Sequence, residues 1–399
     1  METLFKRHDI YLANTPMTIV RDIMHEINWN SRLVAIVGAR GVGKSTLIRQ
    51  FIRINFGQYD RSVLYCSLDS VYFSTHSFID LAEQFVMNGG KRLFLDEVHK
   101  YNGWSKEIKE IYDLYPELKI VISGSSLLEI LNADADLSRR CIRYTLHGLS
   151  FREFLRFYKG ISIRKYGLDE ILGDPSGLCS DVVAQCRPVQ YFKEYLAFGY
   201  YPFYLEGKEE YYTRIEQVVN FIIEVELPQL RKVDVSNIRK LKALVSIIAS
   251  DVPYEVDASK LSRMIGAGRD TVIEYMRHLA DAAVFNLLYS DVRSVGKLTR
   301  PDKIYLENPN LLYALSTSDI LIGTARETFV VSQLAPEHIV EYGRQHGDFK
   351  VDGKYTFEVG GKDKTFSQIA GVGNSFVLSD DIESSLGRKL PIWIVGFLK

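Results

Sequence analysis

Cysteine is scarce: Cys66, Cys141, Cys179 and Cys186 are all there are, and no two form a C-x-x-C pair. That spacing gives no sign of a zinc site or a disulfide framework. A run of about 18 apolar residues, the length a membrane-spanning helix needs, is missing. The opening Met1-Glu2-Thr3-Leu4-Phe5-Lys6-Arg7-His8-Asp9 lacks the apolar core of a secretory signal. An excess of charge is missing too, since 49 Lys and Arg against 50 Asp and Glu leave a formal net charge of −1. A surface-wide field that attracts nucleic acid is thereby excluded, and any such contact must be a local patch. These absences predict a cytoplasmic protein.

What is present is more specific. The 399 residues exceed what one core accommodates, so two to three domains are expected. Gly38-Ala39-Arg40-Gly41-Val42-Gly43-Lys44-Ser45 fits G-x-x-x-x-G-K-[ST] at every fixed position. Before it, the apolar run 33–37 reads as a buried parallel strand, and after it Thr46 and the residues to 52 open a helix. Glycines let the backbone curl round a phosphate with several N–H groups pointing inward, and the helix N-terminus adds partial positive charge. In this reading Gly38 to Thr46 bind a nucleoside triphosphate, Lys44 reaches its β- and γ-phosphates, and the Ser45 hydroxyl binds Mg²⁺. A chance glycine-rich turn would lack the flanking strand and helix.

Further strands are expected at 63–68, 92–95, 119–122 and 142–146, alternating with amphipathic stretches. The pattern predicts an α/β fold, a parallel sheet with helices on both faces. Leu93-Phe94-Leu95-Asp96-Glu97 is an apolar strand ending in two acids. Asp96 is assigned to Mg²⁺ and Glu97 to polarising the attacking water, since magnesium takes hard oxygen ligands and phosphoryl transfer depends on alignment. Ser123 and Ser125, at the end of the next strand, are candidates to contact the γ-phosphate or the attacking water, with helix capping as the alternative. Arg139 and Arg140 are candidates for a guanidinium that stabilises the transition state, with a surface pair as the alternative. Arg40 is a candidate to touch phosphate or a neighbouring subunit.

Several segments together resemble the bacterial and archaeal AAA+-like P-loop ATPases that carry a C-terminal domain of unknown function. They are Arg7, the G-A-R-G-V-G-K-S loop, L-D-E-V-H-K followed by Trp104, I-S-G-S-S, L-S-R-R and Leu149-Ser150-Phe151-Arg152-Glu153-Phe154. Tyr195-Leu196, Gly199-Tyr200-Tyr201-Pro202 and Lys303-Ile304-Tyr305 extend the resemblance over almost the whole chain. It implies ATP as the nucleotide, with Mg²⁺, bound and hydrolysed at Gly38 to Ser45, Asp96 and Glu97. Two departures stand out: the loop ends in serine where that family usually has threonine, and L-S-R-R lacks a glycine before the arginine.

The expected layout is an AAA+-like ATPase domain over residues 1–157, a linker and helical region over 158–235, a winged-helix domain over 236–316, and a small restriction-endonuclease-like α/β domain over 317–399. Dense aromatics between 191 and 204 fall at helical spacing and are assigned to a core in preference to base stacking. Asp257 caps a short helix, Gly266-Ala267-Gly268 forms a turn, and a longer helix follows from Arg269. With strands at 284–289 and 303–306 this is a winged-helix plan, in which Arg269, Arg277, Arg293, Lys297 and Arg300 are candidate DNA contacts. Asp270, Glu274 and Asp281 dilute the positive potential of the same helix, and domain packing is the alternative role.

The C-terminal part resembles a restriction-endonuclease-like fold, with Glu327 on a helix and Asp348 and Glu358 on a hairpin turned by Asp352-Gly353. Active nucleases of that fold carry E-x-K, whose lysine stabilises the scissile phosphate. Here that position is Gly360, and Lys362 lies two residues on, about 7 Å further along an extended strand. A degenerate fold kept for binding or assembly is therefore expected. The functional expectation is an ATP-hydrolysing switch or motor that couples nucleotide state to a partner. Duplex DNA and a protein are the partner classes left open, with no membrane partner, and a homo-oligomer is open as well. The alternatives are a regulatory ATP-binding module with little turnover and an ATP-gated nuclease.

Overall fold

The computed structural model describes residues 1–57, 59–125, 137, 139–290, 300–317 and 319–398. They form two compact units, Met1–His147 and Gly148–Lys399.

Every strand expected in the first unit is present: β1 Leu33–Gly38, β2 Val63–Ser67, β3 Arg92–Asp96, β4 Lys119–Ser125 and β5 Ile142–Thr145. They pair in parallel in the order β2-β3-β4-β1-β5. Parallel strands covered on both faces read as continuous apolar runs, as in β1, whose six residues are all buried. Alternate residues serve opposite faces. Ala35, Val37, Leu64, Cys66, Leu93, Leu95, Ile120 and Ile122 face one way, against Phe78, Leu81 and Phe85 of helix Phe78–Met87 and Ile108 and Ile111 of helix Trp104–Leu114. On the opposite face Phe51, from helix Lys44–Asn55, stacks on Trp29 at 3.9 Å and meets Phe94 at 5.9 Å. Because all strands run the same way, the glycine loop after β1, the acids ending β3 and the serines ending β4 emerge along one sheet edge.

The second unit begins with helix Phe151–Lys159, whose start is fixed by a capping box: the Glu153 amide donates to the Ser150 hydroxyl, and the Ser150 amide donates to the Glu153 carboxylate. Phe151 packs edge-on against Phe192, Tyr195 and Phe397. Beyond it lies a buried polar network: Tyr200 donates to Glu307, Tyr211 to Asn310, and Asn308 to both Glu307 and Tyr201. The aromatics between residues 191 and 204 thus serve packing. Helices Ile238–Ala249, Ala258–Ile265 and Arg269–Asp281 accompany β6 Tyr254–Glu255, β7 Phe285–Leu288 and β8 Lys303–Leu306, an antiparallel sheet in the order β6-β8-β7.

A separate mixed sheet closes the chain: β9 Val340–Tyr342, β10 Phe349–Val351, β11 Tyr355–Gly360, β12 Ser375–Ser379 and β13 Lys389–Pro391. The hairpin between β10 and β11 turns through Asp352 and Gly353, both at positive φ (53° and 65°), as a type I′ turn requires.

Candidate nucleotide-binding site

The glycine loop adopts backbone that side chains tolerate poorly. Gly41 and Gly43 have φ of 86° and 99°. At Gly38, with φ of 157°, a Cβ would lie 2.1 Å from the Leu146 carbonyl oxygen. The loop is held from outside by buried Arg21, which donates to the Val42 carbonyl at 3.2 Å and the His147 carbonyl at 3.0 Å. Lys44 folds over the loop, its Nζ 2.9 Å from the carbonyl oxygens of both Gly38 and Ala39. Helix Lys44–Asn55 starts directly from Gly43 with no side-chain cap, so its first-turn amides point at the space the loop encloses. Ser45 and Thr46 stand half-buried on that first turn.

Strand order brings the acids to this loop. Buried Asp96 accepts from the Tyr65 hydroxyl at 2.6 Å on Oδ2 and from the Ser123 hydroxyl on Oδ1. Ser123 also accepts the Glu97 amide at 3.3 Å, so its hydroxyl bridges the acid pair. Ser125, likewise buried, lies opposite Gly38 in the β1–β4 register. Glu97 sits at φ 54°, in the left-handed region, where the chain turns sharply out of β3. Burial raises its carboxyl above the ordinary carboxylate range, Asp96 adds to this, and Lys44 and Arg40 pull it back. The buried His99 ring stands 3.2 Å from it, Nε2 to Oε2. Burial and the facing Asp96 push the Tyr65 hydroxyl well above the usual phenol range, so it remains a donor.

Asp96 and Ser45 supply hard oxygens. Among the described residues no group of three His, Cys, Asp or Glu is placed to hold an ion by itself. That donor set fits Mg²⁺, which takes one or two protein oxygens and completes its shell with phosphates and water. Tyr65 and Arg21 escaped sequence reading, because a tyrosine in a strand and an arginine before one carry no motif. Arg140 pairs with Asp113, Nε to Oδ1 at 3.2 Å, while Arg139 is exposed.

In the second unit Arg269 and Arg300 are exposed, and Arg277 is half-buried with a hydrogen bond to Tyr289. Arg293 and Lys297 lie outside the described residues. Among the acids expected of a nuclease, Glu327 on helix Ile322–Leu334 accepts from Tyr305 of β8 at 2.7 Å, and Asp348 accepts from the Val359 amide of β11 at 2.7 Å. Burial raises the carboxyls of Glu327, Asp348 and Glu358 alike. The lysine that reaches Glu358 is Lys364, and a Cβ at Gly360 would lie 2.7–2.8 Å from its Cβ, Cγ and Cδ. Lys364 thus lays its stem over the glycine, while the Lys362 carbonyl accepts from Lys389. A straight strand would leave no lysine at Glu358 and Lys362 about 7 Å further along, whereas β11 ends at Gly360 and the chain returns Lys364 to it.

Comparison with known proteins places this geometry. Residues 30–155 match the AAA domain family, and residues 189–320 match a domain of unknown function (DUF8612). The uncharacterized protein MJ1637 of Methanocaldococcus jannaschii is 24% identical over 322 residues, covering 74% of this chain and 68% of that protein. The uncharacterized protein MJ1544 of the same organism is 22% identical over 349 residues, covering 84% of this chain and 73% of that protein. Among solved structures, a RuvB variant from Thermotoga maritima aligns at a TM-score of 0.27 and 15% identity, covering 72% of this chain and 89% of that one. The Hsp104–ADP complex of S. cerevisiae aligns at 0.28 and 14%, covering 70% and 38%. Glycine loop, acid strand and strand order give the first unit a P-loop NTPase-like fold, and its residues 30–155 are similar to the AAA domain.

Proposed function

We propose that the chain hydrolyses ATP with Mg²⁺ and uses the nucleotide state of its first unit to control how the second unit engages a partner. The observation that carries this reading is Glu97, a half-buried carboxylate beside Asp96 that feels the P-loop cations Lys44 and Arg40. That supports Glu97 as the base that would meet water at the γ-phosphate. Bound Mg²⁺ would be held by Ser45 and Asp96 and would neutralise charge on the phosphates. Lys44 and the first-turn amides of helix Lys44–Asn55 would bind those phosphates, Glu97 would orient and deprotonate the water, and Arg40 would add positive charge. Arg139, exposed on the first unit, is the candidate to act across a subunit interface in a homo-oligomer.

For the partner, helices 238–249, 258–265 and 269–281 interleave with β6, β7 and β8 in the order of a winged helix, and exposed Arg269 and Arg300 favour duplex DNA over protein. One experiment covers both claims: phosphate release, and retardation of duplex DNA at two salt concentrations, for wild type and Glu97→Gln. Release should fall at least 100-fold in Glu97→Gln while ATP binding persists. Tight ATP binding with negligible wild-type turnover would instead leave a regulatory module, and no salt-sensitive shift would leave a protein partner.

A second reading attaches to the C-terminal sheet, where Lys364 brings a cation to Glu358 despite Gly360. That arrangement favours metal-dependent phosphodiester cleavage gated by ATP. Nicking of plasmid DNA with Mg²⁺ or Mn²⁺, lost in Glu358→Ala, is the expected outcome, and no nicking with either ion removes this reading.

A further inference from the structure

The Asp96 carboxylate is gripped at both oxygens, by Ser123 on Oδ1 and Tyr65 on Oδ2. Strand register explains the second contact. Tyr65 pairs with Phe94 and Ser67 with Asp96, so Tyr65 lies one pleat behind Asp96 on the same face of the sheet, and its hydroxyl spans that step. Tyr65 is itself fixed by the N-terminal helix Glu2–Ala13. Its amide donates to His8 Nδ1 at 2.9 Å, and its ring meets Tyr11 edge-on at 5.5 Å.

Arg49 joins the same assembly. Its guanidinium lies 5.7 Å from the Tyr65 ring and 5.6 Å from the Tyr11 ring, while its Nε donates to the Ser45 carbonyl at 3.0 Å. The two residues assigned to Mg²⁺ are therefore buttressed by one cluster: Ser45 through Arg49, and Asp96 through Tyr65.

We infer that Tyr65 is a positioning residue for the magnesium site, orienting the Asp96 carboxylate through its hydroxyl while the N-terminal helix holds the tyrosine in place. A carboxylate with one donor on each oxygen cannot rotate about its terminal bond without breaking one of them. Its remaining lone pairs then keep a fixed direction for an ion or an ion-bound water. Outer hydrogen bonds of this kind typically govern metal affinity by about 10- to 100-fold. The inference rests on the Mg²⁺–ATP reading above.

The test is Tyr65→Phe, which removes one oxygen and keeps the ring against Arg49 and Tyr11. Mn²⁺ affinity in the presence of ADP, followed by electron paramagnetic resonance, should weaken about tenfold or more. Affinity for ADP in EDTA should stay within about twofold, and the Mg²⁺ half-saturation of turnover should rise more than kcat falls. A merely structural role would weaken nucleotide and metal binding together, so equal losses of both overturn the inference. Unchanged Mn²⁺ affinity also overturns it. If wild-type protein binds ADP without any gain in Mn²⁺ affinity, the Mg²⁺–ATP reading itself fails and the inference falls with it.

Discussion

His8 shows how much one buried side chain can carry. It is 2% exposed, and its Nδ1 accepts the amide proton of edge-strand residue Tyr65, so the ring must stay neutral to hold that bond. Burial lowers its pKa from 6.5 to about 4, with Arg61 helping and Asp9 and Asp60 opposing. Because the folded value lies below the unfolded one, the unfolded chain takes up the proton first as pH drops. Stability is therefore whole above pH 6.5 and is lost through the window from 6.5 down to 4, on the order of 3 kcal/mol in all. Protection of the Tyr65 amide and of residues 2–13 against hydrogen exchange, taken relative to the intrinsic rate at each pH, should fall across that window, and His8→Gln, which accepts without titrating, should flatten the dependence. Unchanged protection factors between pH 7 and 4.5 would remove this account.

Residues that a motif defines were readable without a fold: Gly38, Lys44, Ser45, Asp96 and Glu97 all stand along one sheet edge. The residues that support them were not. Tyr65 and Arg21 act through distances set by strand register and packing, and nothing local in the sequence distinguishes them from ordinary core or surface positions.

At the scale of elements, boundaries follow local chemistry closely where caps and turns are strong. Asp257 caps Ala258–Ile265 by accepting the Ser259 and Lys260 amides, and Gly266 ends that helix at φ 65°. Ser150 does the same for Phe151–Lys159, but inside the unit and away from water: Ser150 is 0% and Glu153 4% exposed. Ser150→Ala strands the Glu153 amide without a solvent replacement, so its cost should fall at the upper end for such caps, about 2 kcal/mol. Urea unfolding should show a lower midpoint at unchanged slope, and Ser150→Thr should recover most of it. A shift below about 0.5 kcal/mol would mean that water or another group takes over the cap.

Elements could also mislead. A straight continuation of β11 leaves Gly360 at the lysine position and Lys362 about 7 Å further along, but the chain leaves the sheet at Gly360 and brings Lys364 back to Glu358. Glycine permits this for a steric reason: the space a Cβ would need is already filled by the lysine stem.

For the whole molecule, the sequence by itself determined the α/β character of the first unit, its strand positions, its glycine loop and the acids that end β3. Each of these depends on short-range chemistry: buried parallel strands must be apolar, a loop curled round phosphate must be glycine-rich, and magnesium requires oxygen. Tertiary structure alone decided which strand stands next to which. Order β2-β3-β4-β1-β5 sets Ser123 between the glycine loop and the acids and puts Tyr65 behind Asp96. It also decided that residues 148–157 pack with the second unit, Phe151 resting on Phe192, Tyr195 and Phe397. Those outcomes depend on contacts between residues far apart in the chain. Their energies come from burying shared surface, which no local pattern encodes.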